Sequence, residues 1–130
     1  MRKISIATIS IALLLAAVPV WAHHAFSTEF DATRPLEFTG TVTKVELINP
    51  HSWIHMDVEN EDGTVTSWMV EGGSPNALLR RGIDRNSVPI GSELYMDGYG
   101  SRDGGNKAVG VDMKFADGRP LFFGGSQPDQ

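Results

Sequence analysis

From Leu36 onward the chain alternates apolar and polar residues with a period of two, the mark of strands that turn one face to a core. Leu36, Phe38, Gly40 and Val42 alternate with Glu37, Thr39 and Thr41. The apolar phase then slips by one, to Val45 and Leu47, which predicts a β-bulge near Thr43-Lys44 and a bent first strand. Asn49-Pro50-His51 reads as a turn. Ser52 to Val58 predicts a second strand with Ile54, Met56 and Val58 on one face and Trp53, His55 and Asp57 on the other. Asn60-Glu61-Asp62-Gly63 is a hairpin turn, because Asp-Gly supplies the left-handed backbone such turns need. Thr64 to Val70 completes the hairpin as a third strand.

The texture then changes. Ser74 suits an N-cap and Pro75 the first helical position, so a short helix is expected through Arg81, closed by Gly82. Barely two turns long, it must pack on something to persist. Leu94, Met96 and Gly98 alternate with Glu93, Tyr95 and Asp97 in a fourth strand. Val109, Val111, Met113 and Phe115 share one face of a fifth. Asp117-Gly118 turns the chain into Leu121-Phe122-Phe123, at most a sixth short strand. The expected fold is mainly β: a small antiparallel five- to six-stranded OB-like barrel, its helix lying between strands three and four. A β-sandwich is the alternative packing of the same strands.

The first residues follow a different rule. Met1-Arg2-Lys3 is a positive start, Ile4–Val18 is almost wholly apolar, and Val20-Trp21-Ala22 follows a helix-breaking Pro19. This is the pattern of a cleaved secretory signal, and the apolar run is shorter than the ~20 residues of a membrane span. The expected organisation is a signal at 1–22, an extended arm at 23–35, the barrel at 36–123 and a disordered tail at 124–130. The protein is expected in the periplasm or secreted, with no membrane contact after cleavage.

Charge and cysteine content remove several function classes. Without residues 1–22 the chain holds nine basic and sixteen acidic residues, a net charge of −7 with neutral histidines. Such a surface repels nucleic acid, whose binding rests on clustered Lys and Arg. There are no cysteines, so thiolate metal sites, catalytic thiols and disulfides are excluded together.

The four histidines are His23, His24, His51 and His55. Cleavage after Ala22 would give His23 a free α-amine beside its imidazole, a chelating pair. The amine, with a reference pKa of about 8, deprotonates readily for a metal. Such nitrogen donors favour Cu(II), highest in the divalent affinity order. His51 and His55 lie four apart on a strand, about 13 Å, so one ion cannot bind both unless the strand bends sharply. His51, at a strand mouth beside the turn, is the better third ligand. His55 suits a surface or cross-strand role. Asn49, Trp53, His55 and Glu71 form a candidate ligand face. Glu71, just before Gly72-Gly73, could be a ligand or an acid–base group, or pair with Arg80, Arg81 or a backbone amide. Trp68 fits the core. Gly72-Gly73-Ser74 could cradle an anion, although no nucleotide-binding signature is present. No nucleophile–base pairing stands out, which argues against an enzyme.

His23-His24 followed by Glu29-Phe30-Asp31, Gly40-Thr41-Val42, Asn49-Pro50-His51, Trp68, Glu71, Gly73-Ser74-Pro75, Leu79, Arg81-Gly82 and Asp117-Gly118-Arg119 together resemble a family of small exported bacterial proteins known only as a domain of unknown function. The likeness runs from His23 to about Phe123. Ile83-Asp84 departs from it, standing where an aromatic or basic pair is expected. It implies export and domain limits and carries no mechanism. The expected function is a non-catalytic binding module for a small ligand, metal or protein. A copper-binding protein using His23, His24 and His51 is the first alternative, and a small copper oxidoreductase the second.

Overall fold

The computed structural model describes residues 28–124. The secretory-signal, cleavage-site and His23-His24 expectations, and the tail beyond Gly124, lie outside those residues. Five strands, β1 (Phe30–Glu46), β2 (Trp53–Glu59), β3 (Val65–Glu71), β4 (Glu93–Ser101) and β5 (Lys107–Phe115), carry one short helix, α1 (Pro75–Arg80), between β3 and β4. The strands close in a ring in the order β1-β2-β3-β5-β4, which excludes the sandwich.

The ring is not wholly antiparallel as expected. β3 and β5 run parallel, pairing Met69–Glu71 with Lys107–Val109. The cause is topological: between β3 and β5 the chain passes through α1 and β4, so β5 arrives in the direction of β3. The remaining neighbours are antiparallel.

Inside the ring, Val42, Ile54, Met56, Val70, Leu94, Met96, Ala108 and Met113 form a buried core with Leu78 of α1 and Phe123. Ser74 caps α1 by accepting from the Ala77 amide, and fully buried Leu78 ties the helix to the barrel. Trp68 packs against this core, its ring 4.9 Å from that of Phe38. A register shift between Val42 and Lys44 places the β1 bulge where the apolar phase slips.

Two boundaries differ from the sequence pattern. β1 is already formed at Phe30, where the pattern predicted an arm, because Phe30 pairs with Ser101 and Pro35 with Tyr99 along β4. Gly124, placed in the tail by sequence, forms a bridge with Gly72. The phase of β5 also differs. A register shift in the β4–β5 pairing leaves Val111 without a partner opposite, so Ala108 and Met113 face the core while Val109 faces outward. Gly98 makes this close pairing possible, since a Cβ there would lie 1.9 Å from the Val109 carbonyl oxygen.

Candidate functional site

Residues directly opposite each other in paired strands share a face of the sheet. Trp53 on β2 is opposite Glu71 on β3, Glu71 is opposite Val109 on β5, and Val109 is opposite Tyr99 on β4. These four side chains therefore form one row across the outer face of the barrel. Phe30 packs on Val109 and Tyr99 in a second apolar cluster outside the main core. The backbone holds this crossing in place: the Arg102 amide donates to the Glu29 carbonyl (2.9 Å), and Arg34 donates to the Ser101 carbonyl.

Glu71 is the unusual member of the row. An outward carboxylate ordinarily meets water, yet Glu71 is 3% exposed. Its carboxylate contacts Nδ1 of His51, an ion-pair contact without hydrogen-bond alignment. Burial pushes the Glu71 carboxyl above its ordinary range; the His51 charge opposes that rise, Glu29 adds to it and Lys107 opposes it. Lys107 lies 3.5 Å from Glu29 and 6.0 Å from the Trp53 ring centroid. A depression of about 500 Å³ opens beside them, lined by Thr28, Glu29, Ser101, Arg102, Asp103 and Lys107.

The corner is braced by the backbone. The Ser52 amide donates to Gly73 O (3.0 Å), the Gly72 amide to Ser52 O (2.8 Å) and the Gly73 amide to Phe123 O (2.9 Å). These bonds leave Gly72 and Gly73 no amide for an anion. Gly72 is required for the approach, because a Cβ there would overlap the Phe123 ring at 2.2 Å. Asn49–Pro50 is a cis peptide. Ser52 is fully buried, and its Oγ has no hydrogen-bond partner among the described residues.

The candidate residues thus divide. His51, Glu71 and Trp53 come together, and Asn49 stands exposed at the same corner. His55 does not join them: its Nε2 lies 2.7 Å from Glu46 Oε2, and Lys44 binds the other Glu46 oxygen at 2.6 Å. Hydrogen bonds from Lys44, the larger contribution, and from His55 hold the Glu46 carboxyl low. Glu71 pairs with His51 rather than with Arg80 or Arg81, the latter donating to the Phe122 carbonyl instead. Sequence reasoning missed Lys107, Val109, Tyr99 and Phe30 as parts of this face. The chain belongs to a family of unknown function (DUF6152). The family's model matches residues 11–111, a span that takes in His51, Glu71, Phe30 and the whole outer row. No curated protein matches the chain. Among the described residues no group of three His, Cys, Asp or Glu side chains could hold a metal, so His51 and Glu71 are at most part of a ligand set.

Proposed function

We propose that this member of the family is an exported, non-catalytic binding module whose ligand sits on the outer face beside Trp53, His51 and Glu71. The observation that carries the reading is the burial of Glu71 on a face where carboxylates are normally solvated. Keeping an acid there costs desolvation energy that the fold alone does not require. Buried titratable groups with displaced pKa values, held by a charged partner, gather at functional sites. Lys107, Glu29 and the flat Trp53 ring around it offer charge and stacking to a small polar ligand.

The test is an amide-shift titration of ¹⁵N-labelled protein starting at His23 with a desalted small-molecule extract of the cell envelope. Shifts are expected to gather at Trp53, Glu71, Lys107 and Val109. Shifts gathered instead on the opposite side, around Tyr95, Lys114 and Phe115, would overturn the reading. A second reading, copper binding, is favoured by one specific observation: Nδ1 of His51 lies against the Glu71 carboxyl group, and metal-binding histidines commonly keep an acidic neighbour on the nitrogen away from the metal.

A further inference from the structure

We infer that the cleft between the β1 bulge and the turn at 85–90 is a second ligand site, which takes a small carboxylate with an aliphatic body and grips its charge with Arg85. The site goes beyond the Trp53–Glu71 face and shares no residue with it. The cleft measures about 370 Å³, within the range of small-molecule sites. Thr43, Lys44 and Val45 form one wall, and Arg85, Asn86, Pro89 and Ile90 line the other. Both walls are fixed by the fold. Ile83 and Val88 bury the two ends of the turn in the barrel core. Val42 then zips its exit to β1, donating to Ser92 O (2.9 Å) and accepting from the Gly91 amide (2.8 Å). On β1 itself, the register shift between Val42 and Lys44 makes Thr43 the extra residue of a bulge, a device that re-aims side chains and recurs beside binding sites.

Two cations and no carboxylate line this cleft, in a chain with sixteen acidic and eleven basic residues. Lys44 is already engaged by Glu46 at 2.6 Å. Arg85 is not. Among the described residues its guanidinium has no ion pair or hydrogen bond, and neither has the side-chain amide of Asn86 or the hydroxyl of Thr43. The carboxylates closest in sequence are occupied: Glu46 by Lys44 and His55, Asp84 by the amides of Asn86 (2.8 Å) and Ser87 (3.0 Å). Other arginines differ, since Arg34 and Arg81 donate to carbonyls and Arg119 pairs with Asp117. A free guanidinium presents parallel N–H groups that match the two oxygens of a carboxylate, and Thr43 and Asn86 supply further donors beside it. With Lys44 balanced by Glu46, one net positive charge remains, which suits a carboxylate better than the nearly doubled charge of a phosphate. Val45, Pro89 and exposed Ile90 give the ligand's body an apolar strip to cover.

The experiment titrates ¹⁵N-labelled protein beginning at His23 with sodium butyrate at constant ionic strength and follows the amide shifts. Butyrate should shift the amides of 43–45, 85–88 and 90 saturably, in the millimolar range. Butyramide, its uncharged counterpart, should leave them in place, and inorganic phosphate should act there more weakly than butyrate. Arg85→Gln should weaken butyrate binding roughly ten-fold, the loss expected for a hydrogen bond to a charged group. Arg85→Lys should recover only part of it, because the ammonium lacks the planar fork. Arg80→Gln makes the same charge change at the end of α1, outside the cleft, and should match the wild type. Equal shifts with butyramide, unsaturable shifts matched by sodium chloride, or unchanged affinity in Arg85→Gln would overturn the inference. So would butyrate shifts confined to Trp53, Glu71 and Lys107, which would put the anion on the outer row. Tighter binding of phosphate at the same amides would overturn the carboxylate assignment. Should Arg85→Gln fail to fold, the wild type decides alone through butyrate against butyramide.

Discussion

Replacing Phe30 by alanine tests whether the N-terminal end of β1 is part of the folded unit and covers the candidate site. Phe30 is 1% exposed and shares its cluster with fully buried Val109 and with Tyr99. A Phe→Ala change in a packed core costs about 3–5 kcal/mol. Here the cluster is small and engages only the N-terminal end of β1, so that end can separate from β4 instead of leaving a cavity. That limit puts the expected loss near the bottom of the range, about 3 kcal/mol, or a fall in Tm of roughly 10–20 °C for a domain of this size. Urea unfolding followed by Trp fluorescence gives the free energy. Amide exchange separates detachment from global loss. Amides of 30–34 should exchange faster than those of β2, and Glu71, directly opposite Val109, should lose protection with them. A loss under about 1 kcal/mol with unchanged exchange at Glu71 would refute the covering role.

The remaining predictions concern charge and close approach. Burial holds the Glu71 pKa in the folded protein above its ordinary 4.5, so folding favours the protonated acid. Its contribution to stability is complete below that ordinary value and is lost as pH rises through the folded-state pKa. Glu71→Gln should therefore gain on the wild type in urea midpoint as pH is raised from acid to neutral, and parallel pH profiles would contradict this. Gly98→Ala should cost at least about 3 kcal/mol, the upper end for overpacking, because its Cβ meets the Val109 carbonyl oxygen rather than a movable side chain. A Tm within a few degrees of wild type would show that β4 and β5 can separate there. His55→Ala breaks a partly buried contact with Glu46 at the barrel surface and should change stability by no more than about 1 kcal/mol, read by the same unfolding assay. A larger loss would mean that the pair does more than decorate the surface.

Much of the barrel was legible in the order of residues. Alternation located the five strands, Ser74-Pro75 and Gly82 bracketed the helix, and the phase slip at Thr43-Lys44 predicted the β1 bulge. These are local signals, each set by a few neighbouring residues and the periods of strand and helix. The parallel pairing of β3 and β5 left no such trace, because strand direction in a ring depends on how the intervening chain returns. The outward turn of Val109 was hidden for a related reason. Its bulge has no polar residue out of phase to announce it, since Ala108, Val109, Gly110 and Val111 are all small or apolar.

For the site, composition and motif spacing brought out His51 and Glu71 singly, each at a strand end beside a turn. Their contact joins positions twenty residues apart, and only the β2–β3 register, extended past Trp53 and Glu71, makes them neighbours. The sequence alone determined that the chain is acidic and cysteine-free, so that histidine and carboxylate are the donor groups it offers. Tertiary structure decided which of them meet, because lateral pairing across β2, β3, β5 and β4 gathers residues that no spacing along the chain relates. It also decided that Glu71 is buried and lies against His51, a packing that no local period along β3 announces.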